Sequence, residues 1–182
     1  MRVITGLARG RRLISPDGEA VRPTADKVKE AIFSSIQFDV EGRQVLDLFA
    51  GSGQLGIEAI SRGARFAQFV DLSRVSCQLV KKNLALCGFE DKAGIANTEA
   101  VSFLRTTRQK YGVVFLDPPY GKGLVERALA YVSDVLEPGG VVVCETAWDE
   151  VLPETVGALR LAKNTKYAKT RLYIYRSEDA QP

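Results

Sequence analysis

The stretch Val45-Leu46-Asp47-Leu48-Phe49-Ala50-Gly51-Ser52-Gly53-Gln54-Leu55-Gly56 constrains the fold more than any other part of the chain. An apolar run stops at a glycine-rich turn, and a helical pattern through Ile57 and Ile60 begins at once. That order predicts a strand, a tight loop and a helix N-terminus. Glycine puts no side chain between a ligand and the backbone, and the first helical turn offers unpaired N–H groups. The spacing is G-x-G-x-x-G, a pattern of nucleotide-binding loops that is weak evidence when it stands alone.

Around this stretch the chain alternates between short apolar runs and amphipathic ones. Strands are predicted at about 44–49, at Phe66–Val70, near Ala93–Ala96, at Val113–Leu116 and at Val141–Cys144, with two more in 157–176 ending at Arg171–Tyr175. Helices are predicted between them: after the glycine loop to near Arg62-Gly63, over Val75–Leu86 closed by Gly88, around 99–108, and over about 123–135. The last of these ends before Pro138-Gly139-Gly140, and the fifth strand is placed after it. Ahead of the first strand, Thr24 is placed as the cap of a helix whose apolar face is Val28, Ala31, Ile32, Ser35 and Ile36. Residues 1–14 suggest a hairpin with Ala8-Arg9-Gly10 at its tip. Continuous apolar strands alternating with helices predict an α/β fold, a mostly parallel sheet covered on both faces.

A chain of 182 residues is expected to be one compact unit with a small appendage. The boundaries read from the sequence are an N-terminal hairpin and helix extension over 1–40, a main domain over 41–176 and a frayed tail over 177–182. No apolar run reaches the ~20 residues of a membrane span, and the N-terminus has no apolar signal-peptide core. Cys77, Cys87 and Cys144 are odd in number and lack metal-ligand spacing, so they are expected to be buried free thiols in a reducing cytoplasm. The chain contains no histidine, which excludes histidine-based triads and histidine metal sites. No metal is expected, and a monomer is the default expectation.

The net charge of +3 is unevenly spread. Residues 1–40 carry seven Lys/Arg against five Asp/Glu, and residues 160–176 carry six Lys/Arg and no acid. The stretch between them has twelve basic and fifteen acidic residues. Two basic flanks suit a polyanion such as nucleic acid; the plainer alternative is a pair of solvated charged edges.

In a sheet of this kind ligands bind beyond the carboxyl ends of the strands, and every chemically suggestive residue falls at such an end. Asp71 lies twenty residues past Gly51, where an acid can bind both ribose hydroxyls of an adenosine or, equally, cap a helix. Glu99 can accept from an adenine amine, or favour the start of its own helix through the dipole. Asp47 sits just before the loop, where its charge opposes a pyrophosphate and favours an ammonium group. A ligand with adenosine at one end and a zwitterionic amino acid at the other, S-adenosylmethionine, satisfies both Asp47 and Asp71; NAD leaves Asp47 unexplained.

Asp117-Pro118-Pro119-Tyr120 is the sharpest signal. Two prolines can simply end a strand, but they also fix the backbone and leave their carbonyls to outside partners. A carboxylate and the Pro118 carbonyl make two acceptors for the two hydrogens of an –NH2 group. Held so, the amine of a planar base directs its lone pair toward an electrophile, and Tyr120 offers a face for the base to stack on. Positioning and electrostatics, rather than a covalent intermediate, are the expected sources of rate.

Asp-Leu-Phe-Ala-Gly-Ser-Gly with Leu-Gly-Ile-Glu-Ala, followed by Asp-Pro-Pro-Tyr, resembles the class I S-adenosylmethionine-dependent amino-methyltransferases. The opening Arg-Val-Ile-Thr-Gly and Ala-Arg-Gly-Arg-Arg-Leu, with Val-Arg-Pro-Thr and Val-Lys-Glu-Ala-Ile-Phe, is similar to the RsmD-type branch, which methylates N2 of a guanine in 16S ribosomal RNA. The similarity covers roughly residues 1–176. It implies a Rossmann-like sheet of seven strands, the last antiparallel. It implies S-adenosyl-L-methionine as cofactor, contacted by Asp47, Phe49, Ala50, Gly51, Ser52, Gly53, Asp71, Leu72, Glu99 and Ala100. Target contacts would come from Asp117 and Pro118, with Pro119 and Tyr120 completing the catalytic segment. Arg9, Arg11, Arg12, Arg22, Lys166, Lys169 and Arg171 are the expected RNA contacts, on 16S RNA within a small-subunit particle or assembly intermediate. Two positions depart from the family pattern: Ala168 replaces a frequent glycine, and Glu99 a frequent Asp or Asn. The rival readings are methylation of adenine N6 or cytosine N4 in DNA, a dehydrogenase sharing the glycine loop, and a non-catalytic RNA-binding protein of the same fold.

Overall fold

A computed structural model describes residues 1–16 and 23–177; side chains are described from residue 26 onward in the second segment. Arg22 therefore lies outside the described residues, as do residues 178–182. In chain order the elements are α1 (Pro23–Ser35), β1 (Gln44–Leu48), α2 (Gln54–Ser61), β2 (Phe66–Asp71), α3 (Arg74–Cys87), β3 (Ala93–Asn97), α4 (Ala100–Thr106), β4 (Tyr111–Leu116), α5 (Leu124–Val132), β5 (Leu136–Ala147), β6 (Thr155–Val156), β7 (Leu159–Tyr167) and β8 (Thr170–Ser177). The first helix starts at Pro23, one residue before the expected cap Thr24, with proline where its missing N–H costs nothing.

The strands form one sheet in the order β3-β2-β1-β4-β5-β8-β7-β6. The first five run parallel, and β8 inserts antiparallel beside β5. Strand order therefore reverses between β1 and β4, which places a ligand crevice at their carboxyl ends. Side chains alternate across the sheet. Val45, Phe69, Val113, Phe115 and Val143 face α1, α2 and α3, while Leu46, Leu48, Val114, Leu116 and Cys144 face α4 and α5.

Three features differ from expectation. The described residues form eight strands rather than seven; the extra one, β6, has two residues and pairs with the outer edge of β7. Second, β5 starts at Leu136, so Pro138-Gly139-Gly140 lies inside it. There the register against β4 slips between the pairs Tyr111↔Leu136 and Val113↔Val141, and the breaker residues form a bulge within the strand instead of preceding it. Third, only Cys144 is fully buried; Cys77 and Cys87 are half-buried, and all three are free thiols.

The N-terminal hairpin is an arm closed by one antiparallel bridge, Arg2↔Arg12, with its turn at Leu7–Gly10. The arm is fastened to α2. Buried Glu58 accepts the Ile4 and Thr5 N–H groups at 2.8 and 3.0 Å and pairs with Arg62 Nε at 2.8 Å and Lys29 Nζ at 3.5 Å. A side chain on Gly6 would place its Cβ 1.7 Å from the Ser61 carbonyl oxygen, so only glycine permits this approach. Val3, Ala8 and Leu13 join the core of α1 and α2. Among the described residues, no helix is long and apolar enough to cross a membrane.

Candidate active site

A cleft of about 1560 Å³ opens at the carboxyl ends of β1, β2, β4 and β5. Leu48 pairs with Val70 on one side and Leu116 on the other. The residues after these three leave neighbouring strands side by side, ~4.8 Å apart. Thus the glycine loop emerges between Asp71 and Asp117.

On the β1–β2 side the acids are tied to backbone. Asp47 is buried beneath α2, and its Oδ2 accepts the Gly56 N–H at 2.9 Å. Burial raises its pKa to about 7 against that hydrogen bond, with help from the Asp71 charge. Asp71 Oδ2 accepts the Gly51 N–H and Oδ1 the Ser73 N–H, both at 2.8 Å. It thereby clips the loop to β2, while Ser73 itself caps α3. The main chain completes the loop: Ala50 N–H donates to Val70, and Gly53 N–H to Ala50. Phe49 is held at φ 68, an uncommon conformation for an aromatic residue, and Gly53 leads into α2 at φ 77. The last glycine of the pattern, Gly56, lies so close to β2 that an added Cβ would sit 2.3 Å from Phe69 Cε1.

Glu99 caps α4, its Oε2 accepting from the Ser102 N–H at 2.8 Å and hydroxyl at 3.1 Å. Partial burial opposes its charge, but these donors and the Val101 N–H outweigh it and hold the carboxyl below its ordinary value. Leu72 is exposed at the rim and Ala100 is buried at the start of α4; both line the cleft, as do Phe49, Ala50, Gly51 and Ser52. The Ser52 hydroxyl reaches Met1 Sδ at 3.4 Å.

The β4–β5 side is built from side chains. Asp117 is half-buried, Pro118 buried, and Pro119 and Tyr120 exposed. The Tyr120 hydroxyl donates to Glu145 Oε1 at 2.6 Å and lies 3.0 Å from Thr170 Oγ1, so the ring is tethered at its far end and 43% exposed. Burial and the neighbouring Glu145 charge push the Tyr120 phenol up; burial likewise raises Glu145. Glu145 and Thr170 were not legible in the sequence, because they meet through the antiparallel register of β5 and β8.

These strand-end residues come together; the arginines of the arm do not form one surface with them. Arg9, Arg11 and Arg12 are exposed on the arm, whose tip rests on Ser61 at the C-terminal end of α2. That is ~12 Å of helix away from the glycine loop. Lys166 and Lys169 are exposed on the β7–β8 hairpin, with Lys169 at the cleft. Arg171 is half-buried and turned toward Tyr173, its Nη1 donating to the phenol oxygen at 3.2 Å. Ala168 in that hairpin turn takes φ 49, the left-handed region where glycine is at ease. Among the described residues, no cluster of His, Cys, Asp or Glu could hold a metal ion.

Residues 1–176 match the family model described as "Conserved hypothetical protein 95", the RsmD family. The chain belongs to this family. It is 39% identical over 181 residues to "Putative rRNA methyltransferase YlbH" of Bacillus subtilis, covering 97% of this chain and 98% of that one. It is 37% identical over 180 residues to "Ribosomal RNA small subunit methyltransferase D" of Haemophilus influenzae, covering 95% and 93%. Among solved structures, "Putative methyltransferase yhhF from Escherichia coli" superposes with a TM-score of 0.87 at 35% identity, over 98% of both chains. The shared extent includes the N-terminal arm, so this RsmD-family chain matches its relatives across the arm as well as across the sheet.

Proposed function

We propose that this chain transfers a methyl group from S-adenosyl-L-methionine to the N2 amine of a guanosine in small-subunit (16S) ribosomal RNA. Family membership and the names of its relatives support S-adenosylmethionine-dependent methylation of ribosomal RNA. The guanine N2 target rests on the resemblance of the motifs. The observation that carries the reaction type is the placement of Asp117 and Pro118 one strand away from Asp47 and the glycine loop, in one cleft with Tyr120.

The residues fit the cofactor. Asp47 and Asp71 stand at two points of the same cleft with the loop between them, matching a ligand that is cationic at one end and a nucleoside at the other. When bound, S-adenosylmethionine supplies an electrophilic methyl group on a sulfonium. Asp47 would hold the ammonium group and Asp71 the ribose hydroxyls, from which its oxygens can accept beside the Gly51 and Ser73 N–H groups. Glu99 remains a candidate for adenine. On the target side, the Asp117 carboxylate and Pro118 carbonyl accept the two amine hydrogens, and Tyr120 stacks on the base. As the nitrogen gains its methyl group it loses a proton, for which Asp117 is the nearest acceptor in this reading.

We read Arg9, Arg11 and Arg12 with Lys166, Lys169 and Arg171 as phosphate contacts, and residues 1–40 as an RNA-binding extension of the 41–176 domain. The reading includes a monomer acting in the cytoplasm on a small-subunit particle or assembly intermediate. Mass-spectrometric mapping of methylated nucleosides in ribosomal RNA, from cells with and without the protein, tests it. Loss of one N2-methylguanosine from 16S RNA is expected; an unchanged map overturns the assignment.

A further inference from the structure

Trp148 contacts neither the cofactor nor the target amine in the proposed reaction, yet it lines the same cleft as Asp117 and Tyr120. It directly follows β5, its main-chain N–H donates to the Lys169 carbonyl at 3.2 Å, and it is 48% exposed. Lys166 Nζ lies 4.1 Å from the centroid of its ring. The facing pair Ala147↔Thr170 fixes this corner of the sheet, and Thr170 also holds the Tyr120 hydroxyl. Two exposed aromatic residues are thus tied to one corner, Trp148 through its main chain and Tyr120 through its hydroxyl. Leaving a large indole half in water at an ordered position has no value for the core.

We infer that Trp148, with Lys166, is a stacking platform for the RNA nucleotide next to the methylated guanosine. The inference rests on the proposed RNA substrate and adds to it the residue that holds the flanking base. Asp117 and Pro118 can satisfy only one amine, so a second aromatic face in the cleft serves a neighbouring base. Single-stranded RNA is bound by such aromatic faces beside cations. Here Lys166 and Lys169 supply the cations, from a segment, 160–176, with six Lys/Arg and no acid. Asp149, also at the cleft, repels phosphate where the lysines attract it. The strand backbone is therefore directed along the β7–β8 hairpin.

Trp148 is the single tryptophan of the chain, so its fluorescence reports this site alone. Titration with a short single-stranded, guanosine-containing RNA is expected to quench it. Trp148→Ala should weaken binding of the same RNA, carrying a fluorescent label, by about tenfold, the scale of one aromatic stack. Trp148→Phe should restore most of that loss, and S-adenosylmethionine affinity should not change in either variant. An RNA abasic beside the target guanosine should bind as weakly as Trp148→Ala binds intact RNA, and the two losses should not add. RNA that binds without quenching, or binds Trp148→Ala as tightly as the unchanged protein, overturns the inference; so does a failure of the unchanged protein to bind RNA. Ribosomal RNA methylation by the unchanged protein is measured separately: if it succeeds while the platform tests fail, only the role of Trp148 falls.

Discussion

The two sides of the cleft are built by different means. Beside β1 and β2, Asp47, Asp71 and Glu99 each accept from a main-chain N–H within a loop or first helical turn. Beside β4 and β5, Tyr120, Glu145 and Thr170 hold one another by side chains, and two aromatic faces are open to solvent. The first side is shaped before any ligand arrives and suits a small molecule of fixed form. The second has a tethered edge and open faces, which suits a base that must be drawn out of a longer RNA.

This contrast breaks most sharply at Asp117. Asp117→Ala should lower methyl transfer about thousandfold, the scale of losing one preorganised partner of the reacting group, while calorimetry finds S-adenosylmethionine binding close to that of the unchanged protein. Transfer at the original rate would show that the amine is oriented by something else.

Asp47→Asn probes the other side and should do the reverse. Removing a buried charge partner of an ammonium group weakens cofactor binding by about tenfold or more, with RNA affinity unaltered. The same residue sets a pH dependence. Its folded-state pKa is raised from 3.8 to about 7, so between those values the folded protein keeps a proton that the unfolded chain has lost. Stability of the ligand-free protein therefore falls as pH rises through that window and levels off above it. Cofactor affinity should move the opposite way, rising as Asp47 ionises. Urea unfolding and cofactor titration on both sides of the window check both signs. Asp47→Asn should flatten each.

Tyr120→Phe is the mildest test. It removes the bonds to Glu145 and Thr170 but keeps the ring, so KM for RNA should rise about fivefold, the scale of one hydrogen bond. KM for the cofactor should stay constant. Tyr120→Ala should exceed it, since the face is lost as well as the tether.

The same contrast explains what was legible in the sequence. The β1–β2 side is written locally: strand, glycine loop and helix are contiguous, so Asp47, the loop and the spacing to Asp71 could be read directly. Even there two readings stood open for each acid: Glu99 does support the start of its own helix as well as lining the cleft, whereas Asp71 accepts from Gly51 and Ser73 and leaves the cap of α3 to Ser73. On the other side Asp117–Tyr120 is contiguous, but Glu145, Trp148 and Thr170 depend on the pairing of β5 with β8. No local pattern encodes that register. Pro138-Gly139-Gly140 interrupts the apolar pattern, and composition does not separate a break ahead of a strand from a bulge inside it. Lys29 is likewise indistinguishable in sequence from its exposed neighbour Lys27, although it is buried against Glu58.

The arm of residues 1–16 carries a consequence for the order of assembly. Its partners Glu58, Ser61 and Asn83 follow it by 53 to 69 residues. At ordinary rates of synthesis that separation is on the order of several seconds. During those seconds the growing chain presents the arginines of the arm, with no α2 to dock against. Its closure onto Glu58 has to wait for α2, but not for β4 to β8, which are made later still. The buried carboxylate of Glu58 acts as a latch, and it engages only once the helix bearing it has folded.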